Sequence, residues 1–170
     1  MKNINKLSAI ILLIFIFINP AKSDDKVAFI NVDLLIKNSN IGKNVLKNID
    51  DLNNKNLTLL KKRNNKLKEL EVEIKNKKNI ISNDEYIKEL KIFEQKINDF
   101  NLEKNKIVKE FKDFREKELD NLFRLFSPII SNYMKENSIN VLFDSKNILM
   151  GNVDSNKTND ILEIINNEIK

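Results

Sequence analysis

Cysteine and histidine are both absent from this sequence of 170 residues, and glycine and proline occur only twice each. The lack of cysteine excludes disulfides, and the lack of both residues excludes the common zinc sites and the histidine-dependent catalytic triads. Gly42 and Gly151 alone cannot build a glycine-rich phosphate loop. Carboxylates such as Glu116 and Asp120 fall in a highly charged stretch, where we expect solvated surface. The chain is therefore not expected to be an enzyme or to hold a metal or cofactor.

Between Gly42 and Pro128 the chain has neither glycine nor proline, and Lys, Glu, Leu and Ile are abundant there. This composition predicts long helix. The helical spacing of apolar residues pauses at Asn79-Ile80-Ile81, and Ser82-Asn83-Asp84-Glu85 then has the capping-box pattern that starts a new helix. Two long helices joined by a tight turn form an antiparallel hairpin. At about 1.5 Å per residue, each arm is roughly 55 to 65 Å long and must project from a small domain.

Both predicted helices carry an apolar seam. In the first helix the seam is interrupted by Asn53, Asn54 and Asn56, and its apolar members are Val45, Leu46, Ile49, Leu52, Leu59, Leu60, Leu67, Leu70 and Ile74. The second seam has regular heptad spacing with Lys104 in one core position, and its apolar members are Leu90, Phe93, Ile97, Phe100, Ile107, Phe111 and Phe114. Two interpretations fit the phenylalanines: they pack in the hairpin seam, or some of them face a cavity.

Short β-like segments flank the hairpin. Lys26 to Val32 predicts a buried strand, Asp33 to Ile36 a short helix, and Ile139 to Asp144 a second strand. Ile148 to Gly151 predicts a third strand or hairpin edge. Ser155 or Asn156 caps a last helix that carries Ile161, Leu162, Ile165 and Ile169. We expect a kink or a helix restart at Pro128, with Ser127 as the cap.

The predicted fold class is α+β, with a small β-rich body and a long projecting helical hairpin. The predicted division is a signal peptide over 1–23, body over 24–42, hairpin arm over 43–127 with its tip near 79–83, and body again over 128–170. Two or three short strands are marginal alone in water. We therefore expect subunits to share a sheet or barrel through the strand residues Val27, Phe29, Ile30, Val32, Val141, Leu142 and Phe143.

The N-terminus predicts export. Lys2 and Lys6 precede the apolar run Leu7 to Ile18, and small residues at Ala21 and Ser23 predict cleavage before Asp24. The apolar run is short against the roughly 20 residues that a spanning helix needs. Cleavage would remove Lys2, Lys6 and Lys22 and leave 27 basic and 25 acidic residues, a net charge of +2. This near-neutral balance argues against nucleic acid as a partner.

Positive charge is concentrated in the first half of the hairpin. Nine basic residues lie between Lys55 and Lys78, against three glutamates. Two interpretations remain open: a surface for acidic clients, lipopolysaccharide or anionic lipid, or a solvated helix face. Ile92, Leu102 and Val108 do not fit the seam and leave apolar groups for a second surface. The candidate client-binding residues are Lys61, Lys62, Arg63, Lys66, Lys75, Lys77, Lys78, Ile92, Leu102 and Val108.

The order of parts resembles the Skp/OmpH family of periplasmic chaperones over essentially the whole chain after the export signal. The resemblance is carried by the opening strand KVAFINV, the glycine-free hairpin, the return strand INVLFD, the loop to Met150-Gly151 and the terminal helix from Asn156 to Ile169. It implies a homotrimer with a central β-barrel body and three arms around a cavity. It also implies ATP-independent binding of unfolded outer-membrane β-barrel proteins. The family is often more basic than this chain.

Two other classes fit parts of the pattern. A structural coiled-coil spacer or adaptor of an envelope complex would have a rigid arm, one defined partner and no effect on unfolded clients. A polyanion binder would show a steep dependence of binding on salt.

Overall fold

A computed structural model describes residues 26–169 of the chain. The expected signal peptide lies outside these residues. The elements are β1 (Lys26–Ile30), α1 (Val32–Asn38), α2 (Asn40–Lys77), α3 (Asn83–Glu136), β2 (Ile139–Asp144) and α4 (Thr158–Glu168), with short 3-10 turns at Ser145–Asn147 and Val153–Ser155. Most of the described chain is helical, and the sheet has two strands. No helix within 26–169 combines the length and apolar character needed to cross a membrane.

The hairpin of α2 and α3 dominates the molecule. The two helices have 38 and 54 residues, about 57 and 81 Å at 1.5 Å per residue. The turn covers 78–82, and the predicted capping box is present. The hydroxyl of Ser82 accepts a hydrogen bond from the Glu85 N–H at 3.4 Å, and the Glu85 carboxylate accepts one from the Ser82 N–H at 3.2 Å. These bonds satisfy donors that a helix start leaves unpaired, which fixes where α3 begins.

Pro128 does not restart the helix, contrary to the sequence prediction. Helix α3 runs through it to Glu136. Proline removes one backbone hydrogen bond, but its neighbours Phe126 and Ile129 are buried in the core. Packing on both sides of the proline holds the helical path.

The first strand and the first helix of the described residues also differ from prediction. The first strand ends at Ile30, and Val32 belongs to α1 rather than to the strand. Asn31 causes the change, because its side chain accepts a hydrogen bond from the Leu34 N–H at 2.9 Å and caps the helix. Only Ser39 separates α1 from α2, and its hydroxyl accepts a hydrogen bond from the Gly42 N–H and caps α2.

Strands β1 and β2 pair in parallel, and the whole hairpin forms the connection between them. Val27 lies opposite Val141, and Phe29 opposite Phe143. The third strand predicted at 148–151 is wrong. That segment is a loop, and the other edge of β1 carries only an isolated bridge from Phe29 to Asn156. Side-chain hydrogen bonds at Asp144 and Asn152 turn the chain on either side of the loop, which keeps it out of the sheet.

The core lies between the inner face of the sheet and three helices. These are α1, the C-terminal part of α3 and α4. Its most deeply buried apolar side chains are Leu35, Leu122, Phe126, Ile161 and Ile165. Helix α4 has no side-chain cap at its N-cap residue, Lys157, contrary to the prediction of Ser155 or Asn156 as the cap. The Asn156 side chain instead accepts hydrogen bonds from the N–H and the hydroxyl of Thr158.

Thr158 ties α4 to Asn31, the residue between β1 and α1, and its loss should destabilise the body. Its buried hydroxyl accepts a hydrogen bond from the Asn31 N–H at 2.8 Å. Thr158→Val keeps the shape but leaves that donor unpaired, which should lower the free energy of unfolding by about 1–3 kcal/mol. Urea unfolding followed by circular dichroism measures the change. The control is Thr58→Val on exposed α2; equal loss in both variants would contradict the role of Thr158.

Gly42 is required at the root of α2. A Cβ there would lie 1.9 Å from the Ile36 carbonyl oxygen and 2.6 Å from the Ser39 hydroxyl. Alanine normally stabilises a helix by up to about 1 kcal/mol relative to glycine, but this clash should reverse the sign and cost about 1–3 kcal/mol. Thermal unfolding of Gly42→Ala should show a lowered midpoint. Gly151→Ala, whose Cβ meets only the edge of the Phe29 ring, is the control and should lose less.

Candidate functional site

The two long helices meet along one seam with spacings of four and three. On α2 the buried and half-buried seam residues are Ile49, Asn53, Asn56, Leu60, Leu67, Leu70, Ile74 and Lys77. On α3 they are Tyr86, Leu90, Phe93, Ile97, Phe100, Ile107, Phe111 and Phe114. The phenylalanine stripe therefore lies in the hairpin seam, as the first of the two interpretations held. The half-buried Asn53 and Asn56 also follow the spacing of the α2 seam, so this part of the seam contains polar side chains.

A polar layer interrupts the seam near mid-arm. The heptad spacing places Arg63 between Leu60 and Leu67, and it places Lys104 between Phe100 and Ile107. Lys104 does not occupy the core position that the sequence predicts for it. Its side chain is exposed, while the neighbouring Glu103 is half-buried and pairs with Arg63 across the hairpin. Burying an unpaired lysine would be costly, so the charged pair fills this layer and Lys104 turns to solvent.

A second ion pair crosses the hairpin two heptads nearer the tip. The ammonium of Lys77 lies 3.1 Å from the Glu89 carboxylate and 2.9 Å from Glu73 on its own helix. These hydrogen bonds, the one to Glu73 first, raise the pKa of Lys77. Lys77 and Arg63 are 14 residues apart, as are Glu89 and Glu103, so the two pairs specify the same register. Charged contacts of this kind fix register at little gain in stability.

The structure divides the basic candidate residues into two groups. Arg63, Lys75 and Lys77 have acidic partners within the arm, and the Lys75 ammonium lies 2.7 Å from Glu71, which raises its pKa. The second group has no ion pair within the described residues: Lys61, Lys62, Lys66 and Lys78. The positive charge available to a partner is therefore smaller than the residue count indicates.

Apolar side chains also lie on the outside of the arm. Ile92, Leu102 and Val108 are exposed by 55, 70 and 56%, as expected of residues outside the seam. Sequence reasoning missed Leu57 and Val72 on α2 and Ile80 in the turn, which are at least as exposed as Ile92. The signal for Leu57 and Val72 was available, because neither fits the spacing of the seam. The arm thus presents isolated apolar groups among charges.

A groove lies beside the polar layer. It has a volume of about 310 Å³ and is open to solvent. The side chains of Leu67, Leu70 and Phe100 provide its apolar surface, and Arg63, Lys66, Lys96, Asp99 and Glu103 provide its charged rim.

The strand residues predicted to join subunits divide between the two faces of the sheet. Ile30 and Leu142 point inward and pack with the core, as does Val32 from α1. The outward members are Val27, Phe29, Val141 and Phe143, and three of these are exposed by more than 40%. Leu149, Met150 and Val153 in the loop before α4 are exposed by 99, 87 and 82%, and sequence reasoning did not single them out. The body therefore exposes a cluster of apolar side chains.

The described chain offers little chemistry for catalysis. No group of three or more acidic side chains within 26–169 is placed to hold a metal ion. The one large pKa shift is at Tyr133, where burial and then a hydrogen bond to Asp160 raise the pKa to about 12. The Tyr133 hydroxyl donates to the Asp160 carboxylate at 2.7 Å, and this contact joins α3 to α4. Its role is structural.

The described chain thus combines a small body that has an exposed apolar face with a long helical arm. Residues 26–165 match the family described as Outer membrane protein (OmpH-like), and the chain belongs to this family. The resemblance noted in the sequence is thereby confirmed.

The fold is also that of a solved structure, a proposed outer membrane chaperone (OmpH-like) from Caulobacter crescentus CB15. The two share 17% sequence identity with a TM-score of 0.75, and the match covers 85% of each chain. Comparison with curated protein sequences gave no match. This likeness shows that the two proteins share a fold.

Replacing the polar layer with leucine should stabilise the arm. Arg63→Leu with Glu103→Leu removes both charges and continues the apolar seam, and burying apolar surface at these two positions should add about 1–3 kcal/mol. Helix melting followed by circular dichroism should show a higher midpoint. Lys62→Leu, at an exposed position outside the seam, is the control. A lower midpoint in the double variant than in this control would refute the assignment of residues 63 and 103 to one layer of the seam.

Proposed function

We propose that this protein is an ATP-independent holdase chaperone of the periplasm. Three copies join through their bodies, and their arms surround a cavity that binds unfolded outer-membrane β-barrel proteins and prevents their aggregation. The exposed apolar face of the two-stranded sheet carries the proposal. A lone parallel pair of strands is marginal in water, and apolar side chains on its open face gain stability when another copy covers them.

The geometry of the sheet supports a shared barrel. Ala28 and Ile30 face the core, whereas Val27, Val141 and Phe143 face outward. Strand β2 pairs with no strand other than β1 among the described residues, so a strand of another subunit could add to the sheet beside it. The exposed side chains of Leu149 and Met150 precede Gly151, which lies against the outward ring of Phe29. Joining three sheets would cover all of these features together.

The arm supports weak binding at many points. Apolar groups at Ile92, Leu102 and Val108 are separated by charged residues, so no single contact is strong. Contacts of this kind on three linked arms act at high effective concentration, which gives avidity without a tight site. The unpaired lysines of the first arm, Lys61, Lys62, Lys66 and Lys78, are placed to attract acidic clients, lipopolysaccharide or anionic lipid.

Charged substitutions on the outward face of the sheet test whether this face joins the subunits. Val141→Asp with Phe143→Asp should abolish trimers, because six carboxylates cannot be buried together without partners. Light scattering should give the mass of one chain, and protection of a urea-unfolded β-barrel protein from aggregation should be lost. Leu102→Asp on the arm is the control for the mass measurement. A trimer that survives both body substitutions would refute the shared sheet.

The arm is tested separately by removing its apolar groups. Ile92→Ser, Leu102→Ser and Val108→Ser together should leave the oligomer and the helix content unchanged, since all three side chains are outside the seam. The concentration of chain required to protect the client from aggregation should rise by about three- to ten-fold, as expected for lost apolar contact at exposed sites. Three lysine-to-glutamine changes at Lys43, Lys47 and Lys135 form the control. Undiminished protection would show that these groups do not hold clients.

A further inference from the structure

The mid-arm groove is a consequence of the polar layer in the seam. The Arg63–Glu103 pair replaces the apolar side chains that close the seam in neighbouring layers. Arg63 and Glu103 also line the groove, in which Leu67, Leu70 and Phe100 remain accessible. A second depression, lined by Leu59, Lys62, Arg63 and Lys66, adjoins it. The helices thus leave space on the side of the arm where the seam is charged.

The charges on the rim leave a surplus of one cation. Arg63 and Glu103 neutralise each other. Of the remaining lining residues, Lys66 and Lys96 are cationic and Asp99 is anionic, and none of these three has an ion pair within residues 26–169. Lysines without an internal partner, next to an apolar surface, favour a ligand that combines an apolar group with a carboxylate.

We propose that this groove binds an aromatic side chain next to an acidic residue within an extended client segment. The aromatic ring would contact Leu67, Leu70 and Phe100, and the carboxylate would lie between Lys66 and Lys96. An internal segment fits better than a chain end, because the groove is open and lets the chain enter and leave. This inference rests on the proposed function, and it adds a defined anchor to otherwise diffuse contacts.

The test measures peptide binding by the full mature chain. Two fluorescein-labelled peptides are compared by anisotropy, one with a Phe-Glu-Phe core and one with Phe-Gln-Phe. The glutamate peptide should bind about two- to five-fold more tightly, the range expected for exposed ion pairs. Lys66→Gln with Lys96→Gln should remove the preference. Lys68→Gln with Lys91→Gln, at exposed positions on the two helices that do not line the groove, should retain it.

Three outcomes overturn the proposal: equal binding of both peptides, a preference that survives Lys66→Gln with Lys96→Gln, or a preference lost equally in the control variant. Aggregation assays on the same proteins separate this inference from the proposed function. If the unmodified chain protects unfolded β-barrel proteins but shows no peptide preference, the groove assignment alone fails. If the preference is present without protection, the groove assignment stands and the holdase function fails.

Discussion

A single narrow seam holds two very long helices together, and the other properties of the arm depend on how little that seam covers. Two helices in contact bury only one stripe each, so most of their surface faces solvent. On α3 this stripe includes four half-buried phenylalanines, Phe93, Phe100, Phe111 and Phe114. Ile92 and Leu102 lie outside it and remain available for binding. The residues that hold the two helices together and the exposed apolar residues thus lie on different faces of the same helix.

The body differs from the arm because it encloses a hydrophobic core and leaves only one face of its sheet uncovered. Leu35, Leu122 and Phe126 are fully enclosed, and Tyr133 and Thr158 satisfy polar contacts between elements. Beyond this core, β2 presents Val141 and Phe143 outward. Assembly with further copies would cover this face and point the arms in one direction around a common axis, which links the packing of the body to the cavity between the arms.

Much of this architecture could be predicted because it depends on local pattern. The capping box at Ser82, the strand at 139–144 and the apolar seam follow from spacing and turn chemistry. The errors occurred where distant contacts decide. Pro128 stays helical because flanking residues are buried, and residues 148–151 have a strand-like composition but lie in an exposed loop. Glu103 rather than Lys104 turns toward the seam because it pairs with Arg63. The two residues are 40 positions apart in the sequence, so local spacing does not reveal the contact. The groove depends on that same contact, so sequence reasoning could not find it.

The central claim is that copies of the chain assemble through their bodies in order to hold an unfolded protein between their arms. The most direct test is the native mass of the purified chain beginning at Asp24, measured by light scattering with and without a urea-unfolded outer-membrane β-barrel protein. The account predicts a trimer that becomes heavier by one client and stays soluble. A monomer, or an oligomer whose mass does not change when client is added, would contradict it.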